Sequence, residues 1–327
     1  MQRDIITLKK PASWEKDMWR TALPIGCGIT GGLIFGAIEK EQIIITRHDL
    51  WHKRAHLSDL PDITESFKLM REAIDEGEYH KGCHMMENAL REKGYAASAA
   101  VAFPLGSLKL SYVTDSVTFR YYRRGIDMAS ALSFVSWQDE RGKTKRECFI
   151  SRDTGILYCR IKTDFEATYE IDFDAYDNLD GNSKNEIEKR KETLIKEVGE
   201  NSIFYASSPD GGAFGALLFV SASDGEISEK DGKILFSGKE ATVKLLTFAK
   251  KDIESAKREL SEALSASGNF DEAFLKHKEL HKELYERVSV SLTEENDEKL
   301  SYTNEELLDD ANEDEASDAL IEKLWRF

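Results

Sequence analysis

The sequence predicts a mainly β protein: a large, supersandwich-like antiparallel β-sandwich with a two-helix excursion and a C-terminal helical linker. Three observations carry this. From Phe103 to about Phe248, apolar residues recur with a period of two, in short runs separated by turn signals. After Pro61, and again after Lys250, the period becomes 3.6. Only 5 prolines and 21 glycines punctuate the 327 residues, so long linkers are few.

Residues 1–60 read as strands joined by turns. Ile25 to Gly36 (IGCGITGGLIFG) is glycine-rich and apolar, and Glu39 to Thr46 (EKEQIIIT) reads as a second strand of the same hairpin. Gly26, Gly28, Gly31 and Gly32 invite a phosphate-loop reading. It fails on spacing, because no Lys-Ser/Thr pair follows and the run leads into a strand, not a helix. A tight, closely packed hairpin remains. Pro61 and Asp62 start the excursion. Asp62 and Glu65 have capping-box spacing, and Phe67, Met70 and Ile74 share one helical face. A second helix, from about Tyr79 to Arg91, turns Cys83, Met86 and Leu90 inward.

The strand series follows. Leu105, Leu108 and Leu110 sit in one strand, and Val117, Phe119 and Tyr121 alternate with polar neighbours in the next. Residues 131–137, 144–151, 156–162, 166–173, 202–206, 215–222, 233–237 and 241–249 continue it. The turn at Asp153-Thr154-Gly155 is flanked symmetrically by Cys148 and Cys159, which a hairpin in that register sets opposite each other as two buried thiols. The polar stretch from Asn178 to Glu200 reads as a long loop or mobile insertion. Beyond Lys250, Ile253, Ala256, Leu260 and Leu264 mark one helix, which Gly268-Asn269 stops. Phe274, Leu280, Leu284 and Val288 mark another, capped by Asn269 or Asp271, and Ser289 to Leu292 reads as one more short strand. The resulting division is a sandwich over 1–250 (helical excursion about 62–92), linker helices and a closing strand over 251–292, and an acidic segment opening a truncated helical domain over 293–327.

Charge narrows the function classes. Lys and Arg number 45 against 61 Asp and Glu, a net charge of -16, which argues against a nucleic-acid partner. Much of the excess lies between Thr293 and Asp318, with 12 acids and one base, Lys299. No run of apolar residues is long enough to span a bilayer, so no membrane partner is expected. Met1 to Lys10 lacks the apolar run of a signal peptide. The four cysteines, Cys27, Cys83, Cys148 and Cys159, form no CxxC pair, which fits a reduced, cytoplasmic setting.

Several constellations of side chains bear on chemistry. His48, His52 and His56 stand four apart with Asp49 beside them, but Leu50-Trp51 breaks the helical pattern a metal site on one face would need. Sugar contact suits the segment better. Trp51 offers a flat apolar face, and Arg47, His48, Asp49 and His52 offer hydrogen bonds. The alternative is a polar surface loop with Trp51 packed on the sandwich. In His277-Lys278-Glu279-Leu280-His281 the residue after the first His is Lys, not the Glu of a zincin helix, so the two imidazoles are expected to pack against the sandwich. Asp172, Asp174, Asp177 and Asp180-Gly181 miss the EF-hand register, and Asp172 and Asp174 are expected to face solvent. No metal site is assigned.

Blocks of the sequence resemble a known family. Trp14-Glu15, then Ala22-Leu23-Pro24-Ile25-Gly26-Cys27-Gly28, Phe35-Gly36, Glu41-Gln42-Ile43 and Asp49-Leu50-Trp51 resemble the opening of glycoside hydrolase family 95, "W…ALPIGNGRLGAMVFG…ERIQLNEDTLW". Pro104-Leu105-Gly106-Ser107-Leu108, Tyr122-Arg123-Arg124-Gly125-Ile126-Asp127, Arg146-Glu147-Cys148-Phe149-Ile150-Ser151 and His281 to Leu292 resemble later blocks in order. The resemblance implies an inverting α-L-fucosidase-type parent, acting on an oligosaccharide without a cofactor. In that parent an N-terminal sandwich and linker pack against an (α/α)6 barrel that holds the catalytic residues. Leu324 to Phe327 would open the first barrel helix, so no catalytic residue is assigned in this chain. Cys27, Ile29-Thr30 and Thr46-Arg47-His48 depart from the family pattern, which bears on fucose specificity. Residues from about Thr293 are then expected to be poorly ordered or held by a neighbouring chain, since so short a helix cannot stabilise itself. A stand-alone carbohydrate-binding module and an independent enzyme are the rival readings.

Overall fold

Residues 4–12, 20–52, 61–95, 101–176, 190–208, 212–313 and 315–327 are described by the computed structural model. They divide into two units, one of Met1–Leu50 with Pro104–Phe327 and one of Trp51–Phe103. Trp14-Glu15, His56, Asp177, Asp180-Gly181 and most of the polar 178–200 stretch lie outside the described residues.

The larger unit is built on one 13-stranded antiparallel sheet. Its strands are β1 (Ile5–Leu8), β2 (Leu23–Gly26), β3 (Thr30–Ile34), β4 (Lys40–Arg47), β7 (Gly106–Val113), β8 (Arg120–Asp127), β9 (Leu132–Gln138), β10 (Lys143–Ile150), β11 (Leu157–Asp174), β12 (Ile195–Val198), β13 (Ser202–Ser207), β14 (Phe214–Lys230) and β15 (Lys233–Ala249). One path runs β1-β8-β9-β10-β11-β15-β14-β13-β12. The sheet forks at β11, which is 18 residues long. Its first half pairs with β10 and its second half, Thr168 to Asp174, pairs with β7, which carries β4, β3 and β2 in turn. The β7 arm folds back so that β2 and β3 lie over β9 and β10. That closure makes the sandwich.

Alternation explains the layers. Val135 and Trp137 on β9, Cys148 on β10, Cys159 and Ile161 on β11, and Leu108 and Leu110 on β7 all point into the space between them and are buried. The opposite face of β10, β11 and β13–β15 is covered by α3 (Ile253–Ala266) and α4 (Phe270–Tyr285). Ala256, Leu260, Leu264 and Phe270 form a second core there with Phe149, Tyr158, Phe204 and Phe248. Asp252 caps α3, and Asn269 caps α4 in a full capping box with Glu272.

The smaller unit holds a two-stranded sheet of β5 (Trp51–His52) and β6 (Val101–Ala102) and the helices α1 (Thr64–Asp75) and α2 (Tyr79–Glu92). The helices meet at Gly82, where a Cβ would come within 2.9 Å of Ile74 Cγ1 and 3.2 Å of the Met70 carbonyl oxygen.

Several details differ from the sequence reading. The glycine run is itself the β2–β3 hairpin, so three strands stand where two were expected. Strands expected at 156–162 and 166–173 are one strand, as are those at 233–237 and 241–249, because β11 and β15 continue across a bulge instead of turning. Val117 is almost fully exposed and precedes β8, and Tyr121 adopts a left-handed φ of 54° beside an irregularity in the β8–β9 register. Residues 195–198 of the expected loop form β12. Asp62 makes an Asx turn onto Thr64 and not a capping box, since Glu65 pairs with Lys68 instead. Cys83 is exposed. Residues 289–292 form no strand. Asp172 does not face open solvent, because Lys196 Nζ binds its Oδ1 at 2.7 Å.

The C-terminal segment is the largest correction. It forms α5 (Asn304–Glu313) and α6 (Asp318–Arg326), and Leu300, Leu307, Ala319 and Leu320 close a cluster of their own. The chain ties this segment to itself. Arg326 donates to Asp4 Oδ1 at 2.7 Å and to the Val290 carbonyl at 2.6 Å. Buried Glu322 Oε2 accepts from Leu292 N, Thr293 N and Thr293 Oγ1 at 2.9, 3.0 and 2.7 Å. Lys9 binds Glu305 and Glu306. Tertiary contacts hold a helix too short to stand alone. Leu324, Trp325 and Phe327 remain exposed.

Candidate functional site

Where β3 and β4 end beside β15, the first unit carries a cleft of about 430 Å³. Three segments frame it: the β2–β3 turn with Cys27, Ile29 and Thr30, the β10–β11 turn from Arg152 to Gly155, and the α3 face with Ala256, Glu259 and Leu260. Leu246 and Phe248 of β15 contribute apolar surface, and Thr247 and Arg47 contribute polar atoms. Alternation along β15 turns Leu246 and Phe248 toward α3 and Thr247 toward Arg47 and Thr30, and the cleft opens at the end of the strand where both sets reach it.

Arg47 organises the polar wall. Its guanidinium grips Asp49 with Nε to Oδ1 at 2.9 Å and Nη2 to Oδ2 at 3.0 Å. Its Nη1 donates to the Thr247 carbonyl and hydroxyl at 3.1 and 3.0 Å. The Thr247 hydroxyl lies 3.0 Å from that of Thr30. The fork geometry leaves little freedom to either partner. The Arg47 hydrogen bonds hold the Asp49 carboxyl below the usual range, so it stays ionised at neutral pH and cannot serve as a proton donor. A further ion pair, Lys251–Glu259, stands at the rim. Arg152 is fixed from behind, with its backbone N–H donating to His277 Nδ1 and its Nε to His281 Nδ1, both at 3.3 Å. The cleft therefore offers fixed donors and acceptors over an apolar floor. It can bind hydroxyl-bearing groups, and the carboxylates of Asp49 and Glu259 are each held in an ion pair, with Arg47 and Lys251.

Among the described residues, the carboxyl that is pushed upward by burial is that of Glu41. It is sealed between the sandwich layers, where Phe35 N and Gly36 N donate to Oε1 at 3.1 Å each and Arg146 Nη2 donates to Oε2 at 2.8 Å. Arg146 also binds the Ala37 carbonyl and lies over the Trp137 ring.

The residues expected to touch sugar are placed as follows. Arg47 and Asp49 are brought together as above. His48 is exposed, with its backbone N–H on the Ile29 carbonyl at 3.0 Å. Trp51 opens β5 of the second unit and is 54% exposed, and His52 follows it; the His52 side chain is not described. Thr30, Thr247, Arg152, Lys251 and Glu259 were not anticipated. Nothing local marks Thr247, which meets Arg47 across 200 positions of sequence. His277 and His281 pack as expected: Nε2 of each faces a carbonyl oxygen, Ser130 at 3.1 Å and Met128 at 2.7 Å, while each Nδ1 accepts from Arg152. With both nitrogens so engaged, neither ring keeps a lone pair for a metal. Among the described residues no group of three or more His, Cys, Asp or Glu is gathered for a metal, and no helix is long and apolar enough to cross a membrane.

No curated protein matches the sequence. A solved structure, a putative kojibiose phosphorylase from the human microbiome, shares the fold with a TM-score of 0.55 at 10% identity. The alignment covers 91% of this chain and 40% of that one, so this chain spans less than half the length of the phosphorylase. Residues 6–255, which take in the forked sheet, the helical excursion and the start of α3, match the model of the glycosyl hydrolase family 65 N-terminal domain, and to that family the chain belongs.

Proposed function

We propose that this chain serves as the non-catalytic N-terminal sandwich of a larger carbohydrate-active enzyme, packing against a separate helical (α/α)6 barrel that carries the chemistry. The observation that carries this is the family match over residues 6–255. It is supported by the 40% coverage of the phosphorylase that shares the fold. The blocks resembling family 95 favour an α-L-fucoside or related α-L-galactoside as the parent's substrate. The name of the structural relative adds phosphorolysis of an α-glucosyl disaccharide as a second substrate class to test. We assign sugar contact to Arg47, His48 and Asp49 in the first unit and, separately, to Trp51 and His52 in the second. The enzyme is assigned to the cytoplasm.

The test is to assay the purified chain, and then the polypeptide extended by whatever the gene encodes beyond Phe327. The substrates are α-L-fucosides, α-L-galactosides, and kojibiose with phosphate. The chain alone is expected to turn over none of them, and the extended protein at least one. Turnover by the chain alone, lost on changing Asp49 or His52, overturns the proposal. A stand-alone carbohydrate-binding role is the second reading, favoured by the preformed cleft around Arg47. Glycan binding by the chain, with no hydrolase encoded downstream, would establish it.

A further inference from the structure

The β10–β11 hairpin closes with Ser151 N–H on the Ile156 carbonyl at 2.8 Å. In the ladder behind it Phe149 faces Tyr158 and Cys148 faces Cys159. Hydrogen-bonded and non-hydrogen-bonded pairs alternate along an antiparallel ladder, so counting back from Ser151–Ile156 puts Cys148 and Cys159 at a non-hydrogen-bonded pair. There the Cα atoms approach to about 4.5 Å, within the range that a disulfide spans. The two thiols are free, buried, and 2.8 Å apart at Sγ. Both side chains point between the sandwich layers, next to Arg146 and Ile161 on the same faces of their strands.

We propose that Cys148 and Cys159 form an oxidation site, closing into a cross-strand disulfide under a peroxide-class oxidant and so pinning the hairpin at which the sheet forks. The steps balance. The Cys148 thiolate displaces hydroxide from hydrogen peroxide, giving a sulfenic acid as the O–O bond breaks. Cys159 sulfur then attacks Cys148 sulfur and the sulfenic oxygen leaves as water with the remaining thiol proton. In sum, two thiols and one peroxide give one disulfide and two waters. Burial pushes the Cys148 thiol well up and keeps it protonated, so the first step waits on local opening of the hairpin. Its tip, Asp153 and Thr154, is already in solvent. The exposed Cys83 and half-buried Cys27 have no sulfur partner among the described residues and serve as internal comparison.

The experiment treats the full chain with excess hydrogen peroxide, quenches, and maps thiols and cross-linked peptides by mass spectrometry after alkylation under denaturing conditions. A Cys148–Cys159 cross-link that dithiothreitol reverses is expected, with a rise of about 5 °C in the thermal midpoint. Treated Cys159→Ala is expected to show neither. Both thiols still alkylating after Cys27 or Cys83 has oxidised, or sulfinic acid at Cys148 with no cross-link, overturns the proposal.

Discussion

Arg146 and Glu41 are the costliest residues to separate. Both are almost fully buried, and each supplies the other's countercharge at 2.8 Å. Removing one partner strands the other, and the two cases are not equivalent. Arginine cannot shed its charge, whereas a carboxyl can take up a proton. Glu41→Leu is therefore expected to cost about 3–5 kcal/mol by urea denaturation and Arg146→Met less. The difference has a pH signature. In Arg146→Met the folded Glu41 has its pKa raised further above the unfolded value by uncompensated burial, so stability is full below the unfolded pKa and falls as pH rises through the folded one. Urea midpoints at pH 5 and pH 8 should diverge for Arg146→Met far more than for the unmodified chain. Equal midpoints would mean the carboxyl is not desolvated as described.

The imidazoles of α4 titrate in the opposite sense. Burial and the neighbouring His281 push His277 down to about 4, and burial also lowers His281. A folded pKa below the ordinary 6.5 means the unfolded chain binds the proton first. The stability contributed by the neutral ring is thus present above about pH 6.5 and lost as pH falls toward 4, to the extent of about 3 kcal/mol for His277. His277→Gln keeps a donor toward the Ser130 carbonyl but cannot titrate. It should be less stable at pH 8, with a flatter fall in its urea midpoint between pH 6.5 and 4; an unchanged slope would refute the assignment.

At the scale of elements, legibility followed physical cause. Alternation and turn residues located most of the strands because each strand buries one face, a signal local to the strand. α3 was readable for the same reason, since Ala256, Leu260 and Leu264 are both apolar and buried. α4 was misread. Its inward stripe is Phe270, Phe274, His277, His281 and Tyr285, whose rings stack or tilt against one another and against Phe149. Leu284 and Val288 are exposed. A periodicity count that omits His and Tyr selects the wrong stripe. The bend of the β14–β15 hairpin was available in sequence as Asp231-Gly232, both with positive φ, the signature of a tight two-residue turn. The exposed, polar second half of β14 hid that the strand read at 215–222 runs on to this turn. At the cleft, Arg47 and Asp49 were legible as neighbours in sequence, while Thr30 and Thr247 were not, because closure of the sheet alone brings them together. Within the second unit, Gly82 sets how near α1 and α2 approach. Gly82→Val must displace Ile74 or the helix backbone at Met70, and a loss of about 1–3 kcal/mol in thermal or urea unfolding is expected.

For the whole molecule, the question is whether residues 294–327 belong to the fold or merely trail from it. Their charge argued for the second, with 12 acids among 26 residues from Thr293 to Asp318. Their contacts argue for the first. Glu322 is fully enclosed and accepts three hydrogen bonds from Leu292 and Thr293, Arg326 bridges to Asp4 at the opposite end of the chain, and α5 lies against β1. Charge-assisted hydrogen bonds of this kind contribute about 1.5–3 kcal/mol each, but the Leu300–Leu320 cluster is small and mostly internal to the segment. Ending the chain at Thr293 should therefore lower the urea midpoint by the equivalent of a few such bonds while leaving the β-sheet circular dichroism intact, because neither sandwich core draws on the segment. In the intact chain at high dilution, amides of residues 320–326 should exchange well below the unprotected rate, and Arg326→Ala should speed them without unfolding the sheet. Free exchange there in the dilute monomer would mean that the helix waits for another polypeptide, and the exposed Leu324, Trp325 and Phe327 would be where that polypeptide lands.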